Sequence, residues 1–175
     1  MKNLFLMIIL TVLIFSLVGN ADAQKIKKQG EKLDKADQKN MQKIQGYMQM
    51  GDAYRRLAMI SEKKEDFKKA ISYLNELLPV FNKAESLIKH EGKKSNLENE
   101  KIDLQMKIAD LYHKSGQEDK AIKNVEDLLN SGKVPERALP SIYLTLSRYY
   151  EKKNNLAKAE KLLLKSLEIS KKFVK

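Results

Sequence analysis

The chain has 175 residues and a formal net charge of +11, with 33% charged and 42% hydrophobic residues and no cysteine. Without Cys there is no disulfide framework, no thiolate zinc site, no cysteine nucleophile and no acylated lipoprotein terminus. Seven Gly and three Pro are too few for the turns of a β-sandwich or a βαβ array, so the composition predicts long helices with solvated faces.

In chain order, Lys2 precedes an apolar run over residues 4–18, and Ala21-Asp22-Ala23 follows it. A basic start, an apolar core and an Ala-x-Ala site form a secretory signal peptide, here residues 1–23, with Gln24 as the mature N-terminus. The competing reading is an uncleaved anchor. The run is shorter than the roughly 18–20 residues that span a bilayer. Removing the leader takes away Lys2 and Asp22, leaves the charge at +11 and leaves no transmembrane span. The expected location is the periplasm or the cell exterior.

Residues 24–43 read as a basic helical arm, with Lys25, Lys27, Lys28, Lys32, Lys35 and Lys39 against Glu31, Asp34 and Asp37. From residue 44 the apolar stripe thickens at helical spacing: Ile44, Tyr47, Met48, Gly51, Tyr54, Leu57, Ala58. A second helix is expected from about Glu65, through Phe67, Ala70, Ile71, Leu74, Phe81 and Ala84 to His90-Glu91-Gly92. Pro79 inside it predicts a kink or break. Ser95-Asn96-Leu97-Glu98 fits a capping box for a third helix, which Gly116 stops. A fourth runs over about 118–129 to Ser131-Gly132. A fifth opens at Pro135-Glu136, with Pro140 near its first turn. Asn154-Asn155 separate it from a sixth over about 156–173. Six helices with short connectors make three antiparallel pairs.

Two of the pairs superpose without gaps. Ile108-Ala109-x-x-Tyr112, Gly116, Ala121 and Val125 align with Leu146-Ser147-x-x-Tyr150, Asn154, Ala159 and Leu163. Tyr143 heads the last pair where the preceding one has Gln105. The pattern resembles the tetratricopeptide repeat (TPR). A looser first unit takes Gly51 and Tyr54 as the first-helix motif and Ala70-Ile71 as the second. Gly51 to Ala70 then spans 19 positions, against 12 in the other two units. The resemblance implies a right-handed, all-α solenoid of about three TPR-like helix pairs over residues 44–175, in units of about 44–92, 93–133 and 134–175. Small residues let helices approach closely, and Tyr54, Tyr112, Tyr150 and Leu163 fill the space between successive pairs.

No catalytic constellation stands out. His90 and His113 lie in different units, and zinc takes three or four ligands. No phosphate loop or nucleophile elbow occurs. No catalytic residue, metal or cofactor is therefore expected. The basic residues are 30 Lys and 4 Arg, interleaved with acids. Base recognition leans on the Arg fork, so no nucleic-acid partner is expected.

The resemblance places a partner groove on first-helix positions: Met48, Asp52 and Arg55, then Met106, Asp110 and His113, then Leu144, Arg148 and Glu151. Members of the family that clamp a terminal carboxylate use Lys and Asn there. Only Arg148 resembles that clamp, while Asp52 and Asp110 would repel a carboxylate. The implied function is an exported protein–protein interaction scaffold for a peptide or protein segment. The alternative is an extracytoplasmic sensory module of a signalling system. No polar capping helix follows the sixth helix, so the expectation is either self-association through its face or a shortened relative of a larger protein.

Overall fold

A computed structural model describes residues 35–89 and 91–174. The expected leader (residues 1–23), most of the basic arm and His90 lie outside them. Contacts divide the chain after Asn40, and Met41–Lys175 forms one compact unit. Every regular element among the described residues is helical: α1 Lys35–Lys63, α2 Phe67–Asn75, α3 Leu77–Leu87, α4 Glu91–Lys114, α5 Glu118–Asn130, α6 Leu139–Lys152 and α7 Leu156–Lys172. A 3-10 turn, Glu136–Ala138, leads into α6.

The second expected helix is two helices. Pro79 offers no N–H to the Asn75 carbonyl and its ring crowds that turn, so the break falls at Glu76, before the proline rather than on it. The residues after the break still bury Leu77, Val80, Phe81 and Ala84. Helix α4 also departs from expectation. It begins at Glu91, so Ser95 sits inside the helix and does not cap it. Side-chain caps form elsewhere: Asp66 Oδ1 accepts from the Lys69 N–H at 3.0 Å and Asn155 Oδ1 from the Lys158 N–H at 3.2 Å.

The three helical turns share one hydrogen-bond pattern, and that pattern corrects the alignment of the first unit. Glu65, Gly116 and Asn154 adopt positive φ of 58°, 74° and 57°. The following amide donates back to Ser61 O (3.0 Å), Tyr112 O (2.8 Å) and Tyr150 O (2.8 Å) respectively. Ser61 therefore stands where the later units carry tyrosine, and Ala58 stands where they carry Ala109 and Ser147. Ala58 to Ala70, Ala109 to Ala121 and Ser147 to Ala159 each span 12 positions. The first unit has no insertion. Tyr54 is its head aromatic, equivalent to Gln105 and Tyr143. Gly51 lies two turns earlier, against Leu77 and Phe81 of α3.

Two cores result. Ala58, Leu74, Leu77, Phe81, Leu104 and Ile108 belong to the first; Ala109, Ala121, Val125, Ile142, Leu146 and Ala159 belong to the second. Helix α4 supplies both, with Ile108 and Leu111 toward the first pair and Ile102 and Ala109 toward the second. Each pair buries one face within itself and another on its neighbour, which is how a repeat array stays folded.

Candidate functional site

The first helices of the three pairs, α1, α4 and α6, form two seams. Each presents the positions three before, one after and four after its small close-approach residue. In register, those are Arg55, Met59 and Glu62 on α1, Met106, Asp110 and His113 on α4, and Leu144, Arg148 and Glu151 on α6.

The α1–α4 seam is open. A cavity of about 370 Å³ lies in it, with Ala58, Leu74, Leu104 and Leu111 as an apolar floor and Met59 at its edge. Charged side chains span its rim. Arg55 Nη2 donates to Glu100 Oε2 at 2.5 Å. Lys107 Nζ lies 2.8 Å from Glu62 Oε2, and Lys114 Nζ lies 3.0 Å from Glu62 Oε1. Burial works to raise the Glu62 carboxyl, but hydrogen bonds from Lys107 and Lys114 outweigh it and hold its pKa below the ordinary value. Lys114 is pushed up by its bonds to Asp110 and Glu62. The Arg55 guanidinium also stands 5.3 Å from the centre of the Phe81 ring.

The α4–α6 seam is filled. His113 stacks on Tyr149 with ring centres 4.8 Å apart and a tilt of 31°. Its Nδ1 is 3.0 Å from Glu118 Oε1. Tyr149 is buried, and burial, with Asp110 nearby, pushes its phenol up to about 12. Tyr150 is likewise raised to about 12 by burial and by donating to Glu126 Oε1 at 2.5 Å.

The residues expected from sequence fall unevenly on these seams. Arg55 lines the open cavity. Met48 and Asp52 are exposed and lie seven positions ahead of Arg55 and Met59, which hold the equivalent places when the register is counted from Ala58. Asp110 pairs with Lys114 at 2.9 Å, and Met106 packs against the second core. Leu144, Arg148 and Glu151 are exposed on α6, where Arg148 donates to Thr145 Oγ1 at 3.3 Å. Met59, Glu62, Glu100, Asp103 and Lys107 were not foreseen. The constant 12-position step back from Ala70 would have pointed to the first two.

This arrangement suits recognition of a side chain. The floor is complementary to an apolar group. The Arg55–Glu100 pair is about two-fifths exposed, so it contributes about 0–1 kcal/mol and can exchange partners at little cost, while Glu62 is more enclosed between Lys107 and Lys114. Among the described residues no group of three or more His, Asp or Glu could hold a metal ion. No helix among them is long and apolar enough to cross a membrane.

The sequence profile of the tetratricopeptide repeat matches residues 44–74, 102–131 and 140–173, more than half of the chain. The chain belongs to the tetratricopeptide repeat family. Its all-α solenoid of helix pairs follows that family, and TPR arrays are typically non-catalytic scaffolds for protein–protein interaction. No curated protein matches the chain. Among solved structures, MamA is similar over 90% of this chain and 98% of its own, at 18% identity and a TM-score of 0.38. The MamA protein is similar over 70% and 93%, at 17% identity and 0.35.

Proposed function

We propose that this TPR protein is an exported interaction scaffold that takes an apolar side chain of a partner's peptide segment into the α1–α4 seam. The cavity between Ala58, Leu104 and Leu111 carries this reading. Its apolar floor and exchangeable ion pairs are what a docked side chain and its flanking backbone need. Arg55, Met59 and Glu62 on one wall and Glu100, Asp103 and Lys107 on the other set the specificity. The α4–α6 seam, already occupied by the His113–Tyr149 stack, plays no part in the contact.

A photo-crosslinking residue at Met59 tests it, with Lys123 on α5 as the comparison position. Adducts to one partner at Met59 and none at Lys123 are expected, and Leu111→Tyr, which fills the cavity, removes them. Adducts that survive Leu111→Tyr unchanged would sink the groove reading. Export rests on the residues 1–23 leader pattern. The mature protein should start at Gln24 by mass spectrometry and leave the cell body on osmotic shock, whereas an intact Met1 would refute cleavage.

A further inference from the structure

One packing interface is formed twice inside this chain, and each of its two halves occurs once more, bare. On the receiving side, α2 offers Leu74 to α4 and α5 offers Val125 to α6; these are 5% and 0% exposed. The equivalent residue on α7 is Leu163, 40% exposed, and a turn further on Leu167 occupies the place of the partly buried Leu78 and Leu129. On the docking side, α4 buries Leu104, Ile108 and Leu111 and α6 buries Ile142, Leu146 and Tyr149. The equivalent residues on α1 are Ala53, Leu57 and Ile60. Ala53 is exposed, and Leu57 and Ile60 are 40% and 51% exposed. Both halves of one interface are therefore present and bare on the two outermost described helices, in register with two examples of it already formed inside the chain.

Charge follows the same register. Inside the chain, Glu62 binds Lys107 and Lys114 of the next first helix. The residue equivalent to Glu62 on α6 is Glu151, and those equivalent to Lys107 and Lys114 on α1 are Arg56 and Lys63. All three are exposed, and none forms an ion pair among the described residues. An acid at the tail and two bases at the head repeat a clamp that the fold uses internally.

We propose that copies of this protein stack head to tail, the outer face of α1 of one copy seated on α7 of the next, with Glu151 held between Arg56 and Lys63 of that next copy. The interface is heterologous, so it propagates until the superhelix closes or runs on as a filament. It continues the intramolecular interface of the repeats and extends the first-helix surface across copies. This goes beyond the groove reading, and its outcome leaves that reading untouched.

Sedimentation velocity of the purified protein and two variants tests it. The natural protein should form species that grow with concentration. Leu57→Lys, which spoils the head, and Leu163→Lys, which spoils the tail, should each be monomeric, because every contact needs one of each. Mixed in equal amounts, they should form a 1:1 heterodimer that grows no further, since each retains the complementary good face. A natural protein that stays monomeric at every concentration overturns the proposal. So does Leu57→Lys or Leu163→Lys that still self-associates alone, which would mean a two-fold contact of α7 or of α1 with itself. Both replaced leucines are exposed, and circular dichroism checks the fold. Glu151→Arg gives a second test with no core change: it should weaken association about tenfold, and adding Arg56→Glu with Lys63→Glu should restore it. Lack of restoration counts against the register proposed.

Discussion

The two seams between first helices are built on one register and end up in opposite states. In the α4–α6 seam the residue two past the close-approach position is Tyr149, and His113 stacks on it. In the α1–α4 seam the same place holds Leu111, and Glu62 occupies the place of His113. A leucine is too short to reach across, so a cavity of about 370 Å³ stays open and ion pairs bridge the gap. Two differences at equivalent positions, Leu111 for Tyr149 and Glu62 for His113, separate an open seam from a stacked one. Repeat proteins gain specificity this way, with the scaffold held constant.

The largest effect that can sharpen this contrast is on Tyr149. Tyr149→Ala should cost about 3–5 kcal/mol by urea denaturation, because a buried aromatic leaves a void that its neighbours only partly fill. A loss under half of that would mean the second seam is looser than its geometry. Next comes alkaline stability. Tyr149 and Tyr150 have folded pKa values near 12 against an ordinary 10.0. A raised folded pKa means the neutral phenol is favoured by folding. That stability is therefore full below pH 10 and is lost as pH rises from 10 through 12. Tyr149→Phe should flatten the decline in urea midpoint across that window, and an unchanged slope would place the titrating group elsewhere.

Two smaller substitutions test the corrected register of the first unit. If Ala58 is the close-approach residue, Ala58→Leu overpacks and destabilises by about 1–3 kcal/mol. A methyl on Gly51 would meet Leu77 and Phe81 at 3.5 Å, an ordinary contact. Gly51→Ala should then stabilise by up to about 1 kcal/mol through helix propensity. The reverse ranking of these two would restore Gly51 to the motif. At the bottom of the scale, Lys123 and Asp127, both exposed, pair one turn apart on the outer face of α5. Lys123→Ala should change stability by less than about 0.5 kcal/mol, and a larger change would show that α5 has a partner.

Much of the fold was legible because turns announce themselves. Gly116 and Asn154 are residues that tolerate positive φ, and each fixes the count back to Ala109 and Ser147. Glu65 does the same job without looking like it, so the turn counts back to Ala58, whereas the repeat profile, which begins seven positions before Ala109 and Ser147, also begins seven before Gly51. Pro79 signalled a break, but the break belongs to the carbonyl that it leaves unpaired, hence Glu76. The Ser95 capping box was a local match that the Glu91 start overrode. The candidate site was less legible. Arg55 was found, but whether a seam is open depends on Leu111 set against Tyr149, a comparison of side-chain reach across helices that no local pattern encodes.

The constant step of 12 positions between close-approach residues has a consequence for how such a chain can change. Ala58, Ala109 and Ser147 stand in the same phase relative to their turns, although the step from one pair to the next is 51 positions after Ala58 and 38 after Ala109, the longer one holding α3. A tandem copy of the last pair, 134–175, would lay a second α6 on the first α7 and close over Leu163. Such an addition leaves the existing contacts in place, whereas removal of the middle pair would take α4 out of both cores.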